Sequence, residues 1–242
     1  MREVHQGSMK GQSVALRKTI ARVGRALTLL AAFPTAASAQ EQDGEAWGSF
    51  WVTAPVSGKL LGWVDGSLRV SDHGTDSPTV LIRPLVGVQA TKSLSLWGGY
   101  TFTASNPTGR AAVHEHRAVQ QAMWNVGKVA GGTLVSRTRL EQRWVEGRAG
   151  TGHRLRQMFR YATPIDRKNT QFVLSSETFV AFNSTPFGQA AGFDQVRNFV
   201  GLNVPIASKL TADIGYMNRY IRRRGAEDRM DHILPVTLIA RF

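Results

Sequence analysis

The side chains best equipped for chemistry in this chain are charges and amides that recur at alternate positions. In 137–144, Arg137, Arg139, Glu141 and Arg143 share one parity, and Thr138, Leu140, Gln142 and Trp144 share the other. In 154–161, Arg154, Arg156 and Arg160 oppose Leu155, Phe159 and Tyr161. In 194–204, Gln195, Arg197 and Asn203 oppose Val196, Val200, Leu202 and Val204. Residues two apart on an extended strand point the same way, so each segment has one charged face and one apolar face. Glu115, Arg117, Gln121 and Glu177 extend the charged set. Such a set can fill and rigidify an interior by pairing its charges and amides. Because Arg outnumbers Glu, it could instead present a selectivity surface to an anionic solute.

Three other groupings are weaker. His114 and His116 share a face with Glu115 turned away; two imidazoles could hold zinc, but a third ligand is not evident, so no metal site is assigned. Ser175 or Ser176, with His153 or His232 and Glu177 to orient the imidazole, contains the parts of a lipid-modifying hydrolase. No motif specifies that set, so no catalytic residue is assigned and a non-enzymatic role is expected. Arg222, Arg223 and Arg224 stand in a predicted loop. They suit a solvated surface or contact with lipopolysaccharide phosphates, which guanidinium groups bind bidentately. No phosphate-binding glycine loop is present and no cofactor is expected. The absence of Cys excludes disulfide scaffolds, thiolate metal sites and Cys nucleophiles.

The elements that must carry these faces are strands. No segment reads as a capped amphipathic helix, and no apolar run reaches the 18 or so residues of a helical membrane span. Alternating segments are predicted near 47–55, 60–71, 79–91, 94–105, 112–126, 131–146, 152–164, 172–184, 193–205, 209–223 and 230–242. Many are long enough to cross a bilayer at a tilt. Short connections (57–59, 90–93, 127–132, 166–170, 207–209) alternate with longer polar ones (71–78, 105–110, 146–152, 184–192, 222–229), the layout of an outer-membrane barrel. The expected fold is therefore an all-β, antiparallel, up-and-down transmembrane β-barrel of 10–12 strands. The eleven segments conflict with the even strand number usual for bacterial barrels, which points to ten or twelve, twelve by preference, with 47–55 the weakest segment. Trp47, Trp51, Trp63, Trp97, Tyr100, Trp124, Trp144, Tyr161, Tyr220 and Phe242 lie near strand ends, as in the aromatic girdles at membrane interfaces.

Charge and the leader give the compartment. The 242 residues hold 30 Lys+Arg and 17 Asp+Glu, a net +13. Residues 1–39 read as a cleaved signal peptide: basic Arg17, Lys18, Arg22 and Arg25, an apolar stretch from Ala26 to Phe33, and Ala37-Ser38-Ala39 as the cleavage site. Translation could start at Met1 or Met9. The leader carries six Lys/Arg (Arg2, Lys10, Arg17, Lys18, Arg22, Arg25) and one acid (Glu3), so residues 40–242 keep 24 bases and 16 acids, a net +8. Nearly half the excess charge belongs to export, and an exported protein rarely meets nucleic acid. The rest suits anionic lipid or lipopolysaccharide. The expected location is the cell outer membrane. The terminal Phe242 on an alternating last strand resembles the signal that barrel-assembly machinery reads.

A more specific resemblance lies in Glu115-His116-Arg117 with Gln120-Gln121, Ser136 to Trp144, Arg154 to Gln157, Phe193 to Arg197, Gly215 to Tyr220, and Arg229 to His232. Over roughly 45–242 the chain resembles the bacterial domain-of-unknown-function family 2490. That resemblance implies an outer-membrane-type barrel without an established activity. The chain departs from the family pattern at Arg219, where Gln is more usual, and at Asn198, where an apolar residue would suit lipid. The function expected is that of a non-enzymatic barrel, a narrow channel or a structural envelope component. A lipid-modifying enzyme or a lipopolysaccharide-binding surface protein is the alternative.

Overall fold

The computed structural model describes residues 41–71, 78–107 and 111–242. The leader and its cleavage site lie outside them, as do parts of the loops at 71–78 and 105–110. The described residues form eleven strands: β1 (Glu41–Ser57), β2 (Leu60–Ser71), β3 (Thr79–Gln89), β4 (Leu94–Ser105), β5 (Val113–Val129), β6 (Gly132–Val145), β7 (Gly152–Pro164), β8 (Gln171–Ala181), β9 (Gly192–Ala207), β10 (Leu210–Ile221) and β11 (Arg229–Arg241). Consecutive strands pair antiparallel, and β1 pairs with β11 to close the barrel.

The strand number corrects the even-count expectation. Every other neighbour pair is antiparallel, so an odd number leaves β1 and β11 running the same way, with Glu41 beside Arg229 and Thr53 beside Arg241. The segment that looked weakest, 47–55, is the middle of a 17-residue strand. Its many small residues and Pro55 hide the alternation. A parallel seam is slightly weaker per residue than an antiparallel one, and side chains reinforce this one. Arg229 of β11 binds Asp43 of β1 at 2.6 Å and reaches Glu45 at 3.4 Å; Arg219 of β10 binds Glu45 and, at 2.6 Å, Asp231. At the other end the Phe242 N–H donates to the Thr53 carbonyl at 3.0 Å.

Local sequence explains the turns and one close approach. Ala130 and Gly131 both take positive φ (46° and 87°) in the two-residue β5–β6 turn, the geometry that suits the twist of a hairpin. Gly201 and Gly215 face each other across β9 and β10, and the Phe199 ring covers both. A Cβ on Gly215 would stand 2.6 Å from the Gly201 Cα, so neither position admits a side chain.

The interior has two textures. Trp63, Leu85, Trp97 and Val119, with Trp51, Leu61 and Met123 against them, form an apolar cluster. This overturns part of the girdle reading: Trp47, Trp51, Trp63 and Trp97 point inward. Each of three indole N–H groups donates to a side chain two residues away on the same face, Trp47 to Glu45 (2.5 Å), Trp63 to Asp65 (2.6 Å) and Trp97 to Ser95 (2.8 Å). An enclosed indole needs such an acceptor. Trp124, Trp144, Tyr100 and Phe242 do point outward and are exposed.

Candidate functional site

The charged faces point inward, as parity required. Glu141 on β6 is 0% exposed. It accepts from Arg154 Nε (3.0 Å) and Nη2 (2.7 Å) and from Arg156 Nη1 (2.8 Å), and Arg117 stands 3.9 Å away. Glu177 on β8 takes a bidentate contact from Arg156 (3.1 and 3.0 Å) and a bond from Arg137 Nη2 at 2.9 Å. Glu115 on β5 takes a bidentate contact from Arg117 (3.0 and 2.8 Å) and a bond from Arg143 Nε at 2.5 Å. Arg156 therefore links the two buried carboxylates, and with Arg154 Nη1 also donating to Asp194 on β9 at 3.2 Å, five strands, β5 to β9, are cross-tied through one network. Among the described residues Arg139, 1% exposed, donates only to the Gln121 side-chain oxygen, and Arg197 only to Gln195 at 3.1 Å. Arg160 makes a bidentate contact with Asp213 at 2.7 and 3.1 Å. All twelve residues expected on the lumen face lie inside the barrel.

Several interior residues escaped the sequence reading. Asp65, Arg69 and Arg83 occupy the odd positions of β2 and β3, opposite Val64, Leu68, Val70, Val80 and Ile82; the same parity argument would have found them. Asp65 binds Arg83 at 3.1 Å. Arg69 stacks over Trp47, 4.3 Å from its ring centroid, with no carboxylate partner among the described residues. The carboxylates Asp43, Glu45 and Asp231 cluster at the seam, and Arg219 and Arg229 bridge them. Arg219 is the departure from the family pattern noted above, and here its charge serves the closure. Gln189, from the β8–β9 loop, folds back to accept from Arg143 at 3.1 Å and to donate to the Asn183 carbonyl at 3.0 Å. No strand alternation marks it.

Between these groups lies a cavity of about 140 Å³, lined from every strand except β4 and β5. Six arginines line it (Arg69, Arg83, Arg137, Arg139, Arg160, Arg197) against three acids, Asp65, Glu177 and Asp213. Four of its lining residues carry buried polar atoms without a hydrogen-bond partner: Ser67 Oγ, Arg69 Nε, Arg83 Nε and Nη1, and Arg137 Nε.

The outer face holds the remaining groupings. His114 and His116 do share a face, and Glu146, just past β6, supplies the third group that the sequence did not reveal. Its two oxygens meet His114 Nδ1 and His116 Nε2, each at 2.9 Å. These hydrogen bonds, His116's first, hold the exposed Glu146 carboxyl below the ordinary carboxylate range. Tyr100 contacts the other nitrogen of His116. The hydrolase parts are not brought together. Glu177 points inward and is held by arginines, Ser176 donates outward to Asn198 at 2.8 Å, Ser175 lines the cavity, and His232 pairs with Tyr216 at 2.6 Å. In the β10–β11 loop Arg223 pairs with Glu41 and Arg224 donates to the Ala191 carbonyl, while the Arg222 side chain is exposed.

Apart from Glu177, the network that organises the interior is drawn from the stretches carrying the family resemblance, and comparison with known proteins agrees with that resemblance. The family described as "Protein of unknown function (DUF2490)" matches residues 44–231. The chain belongs to this family. An uncharacterized protein of Methylorubrum extorquens is 34% identical over 218 residues, covering 89% of this chain and 95% of that protein. No solved structure matches. The matched span includes the lumen residues named above apart from Asp43, which precedes it by one position, and the terminal Phe242 falls beyond it.

Proposed function

We propose that this family member is a barrel of the cell outer membrane with a closed lumen, a non-enzymatic structural component of the envelope. The observation that carries the reading is the division of the two faces. Outward positions around the barrel hold large exposed apolar residues, among them Phe50, Leu68, Val86, Phe159, Leu202 and Leu238. Water would penalise that face, whereas lipid is its natural solvent. The outward polar groups pair sideways, as lipid requires. Gln120 and Gln142 exchange two hydrogen bonds (3.0 and 3.1 Å), Gln157 meets Thr138 (2.6 Å) and Ser136 (2.8 Å), and Asn198 joins Ser176 to Asn218 (3.1 Å). Asn198 is therefore one link of a polar ladder, which accounts for an amide at that position.

The closed lumen rests on the cross-tied arginines and the tryptophan cluster, whose members are almost wholly buried. A channel needs water along its whole length. On this reading the leader exports the chain and the assembly machinery reads Phe242 at the short-turn end. Arg222, on the long-loop side, is the loop arginine left to meet lipopolysaccharide phosphate.

The test is single-channel recording of the full chain, purified folded from membranes and checked by heat-modifiable gel mobility, in a planar bilayer. The reading predicts no discrete conductance steps. Reproducible steps from folded protein would overturn the closed lumen and make the barrel a channel.

A further inference from the structure

The central cavity has more positive charge and more hydrogen-bond donors than its own walls can use. Of its six arginines, three have carboxylate partners: Arg83 with Asp65, Arg137 with Glu177, and Arg160 with Asp213. Arg69, Arg139 and Arg197 have none among the described residues. The excess also shows atom by atom. Arg69 Nε, Arg83 Nε, Arg83 Nη1 and Arg137 Nε are buried donors with nothing to donate to. A guanidinium has no acceptor atoms, so these groups cannot satisfy one another, whatever their rotamers. Beside them, Trp47, Trp51, Met158, Phe199 and Met217 give the cavity apolar walls.

We infer that this cavity is a binding site for a small oxyanion, a carboxylate or phosphate group carried on a body no larger than about one aromatic ring. Charge decides the sign of the ligand, since six guanidinium groups face three carboxylates and three of the six have no carboxylate at ion-pair distance among the described residues, inside a barrel where poorly compensated charge is costly. The donor geometry decides the chemical class, because planar guanidinium forks match the oxygens of carboxylate and phosphate. Volume bounds the size. A space of about 140 Å³ is close to the roughly 150 Å³ that admits a benzene ring. The bound oxygens would accept from Arg69, Arg83 and Arg137 together, with the Arg197 charge beside them, and the Trp47 ring that Arg69 and Arg197 both stack on would hold the two in place. The inference concerns the interior alone, and it does not depend on whether the outer face meets lipid.

Two arginines give the site a distinctive test. Glu141 and Glu177 lose their partners if their arginines are removed, but replacing Arg69 or Arg197 strands no carboxylate. Arg69→Met and Arg197→Met should therefore raise the unfolding midpoint of the anion-free barrel. A group that binds ligand at a cost to stability behaves this way, and a structural ion pair does not. The full chain, folded in detergent at low ionic strength, would be titrated with sodium phosphate and with sodium benzoate. Sodium chloride at matched ionic strength serves as the control, with unfolding midpoint and tryptophan fluorescence as readouts. The expected result is a saturable response to phosphate or benzoate beyond that of chloride, weakened at least about tenfold in either variant. Phosphate alone would mark a phosphoryl site, and benzoate alone a site for an organic carboxylate. A response no larger than chloride's, or one that survives both substitutions, would overturn the inference. So would either variant failing to fold, because these arginines would then have a structural partner.

Discussion

Replacing Glu141 with Ala should be among the most damaging single changes inside the barrel. The side chain is wholly buried and accepts two hydrogen bonds from Arg154 and one from Arg156. After truncation Arg156 keeps its bidentate contact with Glu177, but among the described residues Arg154 keeps only one carboxylate, Asp194, at 3.2 Å. One guanidinium is then left nearly uncompensated in an enclosed interior, with the charges of Arg117 and Arg139 close by. Breaking a buried ion pair in this way costs about 3–5 kcal/mol. Glu141→Gln retains one acceptor oxygen and should lose about 1–3 kcal/mol. Urea unfolding of the folded barrel in detergent, followed by tryptophan fluorescence, measures both. With a slope of about 2 kcal/mol per molar urea, the Ala variant's midpoint should fall by about 1.5–2.5 M. A loss below about 1 kcal/mol would place Glu141 in the range of solvent-exposed pairs. It would refute the idea that the network is a dry structural fill.

Other consequences follow from particular contacts. Gly215→Val should prevent barrel formation, because its side chain would meet the Gly201 backbone and the Phe199 ring; the gel mobility of the folded form would be lost, and a variant that still folds would contradict the packing. Acid should weaken the His114–Glu146–His116 contact on the outer face. Because Glu146 is held below its unfolded value of 4.5, its contribution is complete above about pH 4.5 and is lost as pH falls through the lowered value. Glu146→Gln should flatten the stability–pH profile on that acid side alone, and an unchanged profile would remove Glu146 from the account.

How much of this was legible in the sequence depends on which physical signal each residue leaves. Strand limits and face assignment were readable, because turn residues and period-two alternation are local. The twelve interior residues from β5 to β9 followed directly from parity. The seam did not. Nothing in Glu45, Arg219 or Asp231 alone says that strands at opposite ends of the chain meet in parallel, and the usual even count argued against it. The tryptophans of β1, β2 and β4 were misplaced because an aromatic fits either a lumen core or an interfacial girdle. A finer signal was present, however. Trp47, Trp63 and Trp97 each have an acceptor two residues away on the same face, in Glu45, Asp65 and Ser95, whereas the outward Trp124 lies between Ala122 and Val126. Gln189 and Glu146 act from outside the strands, so no periodicity could reveal them.

The division of the two faces, apolar residues toward lipid and charges within, can be tested through the tryptophans themselves. The folded chain would be placed in bilayers with bromines along the acyl chains, and its fluorescence compared with that of Trp124→Phe/Trp144→Phe. The account predicts that bromine quenches the natural protein through Trp124 and Trp144. The double variant, keeping only the inward Trp47, Trp51, Trp63 and Trp97, should fluoresce almost unquenched. Equal quenching of the double variant, or none of the natural protein in its folded form, would contradict the orientation of the faces.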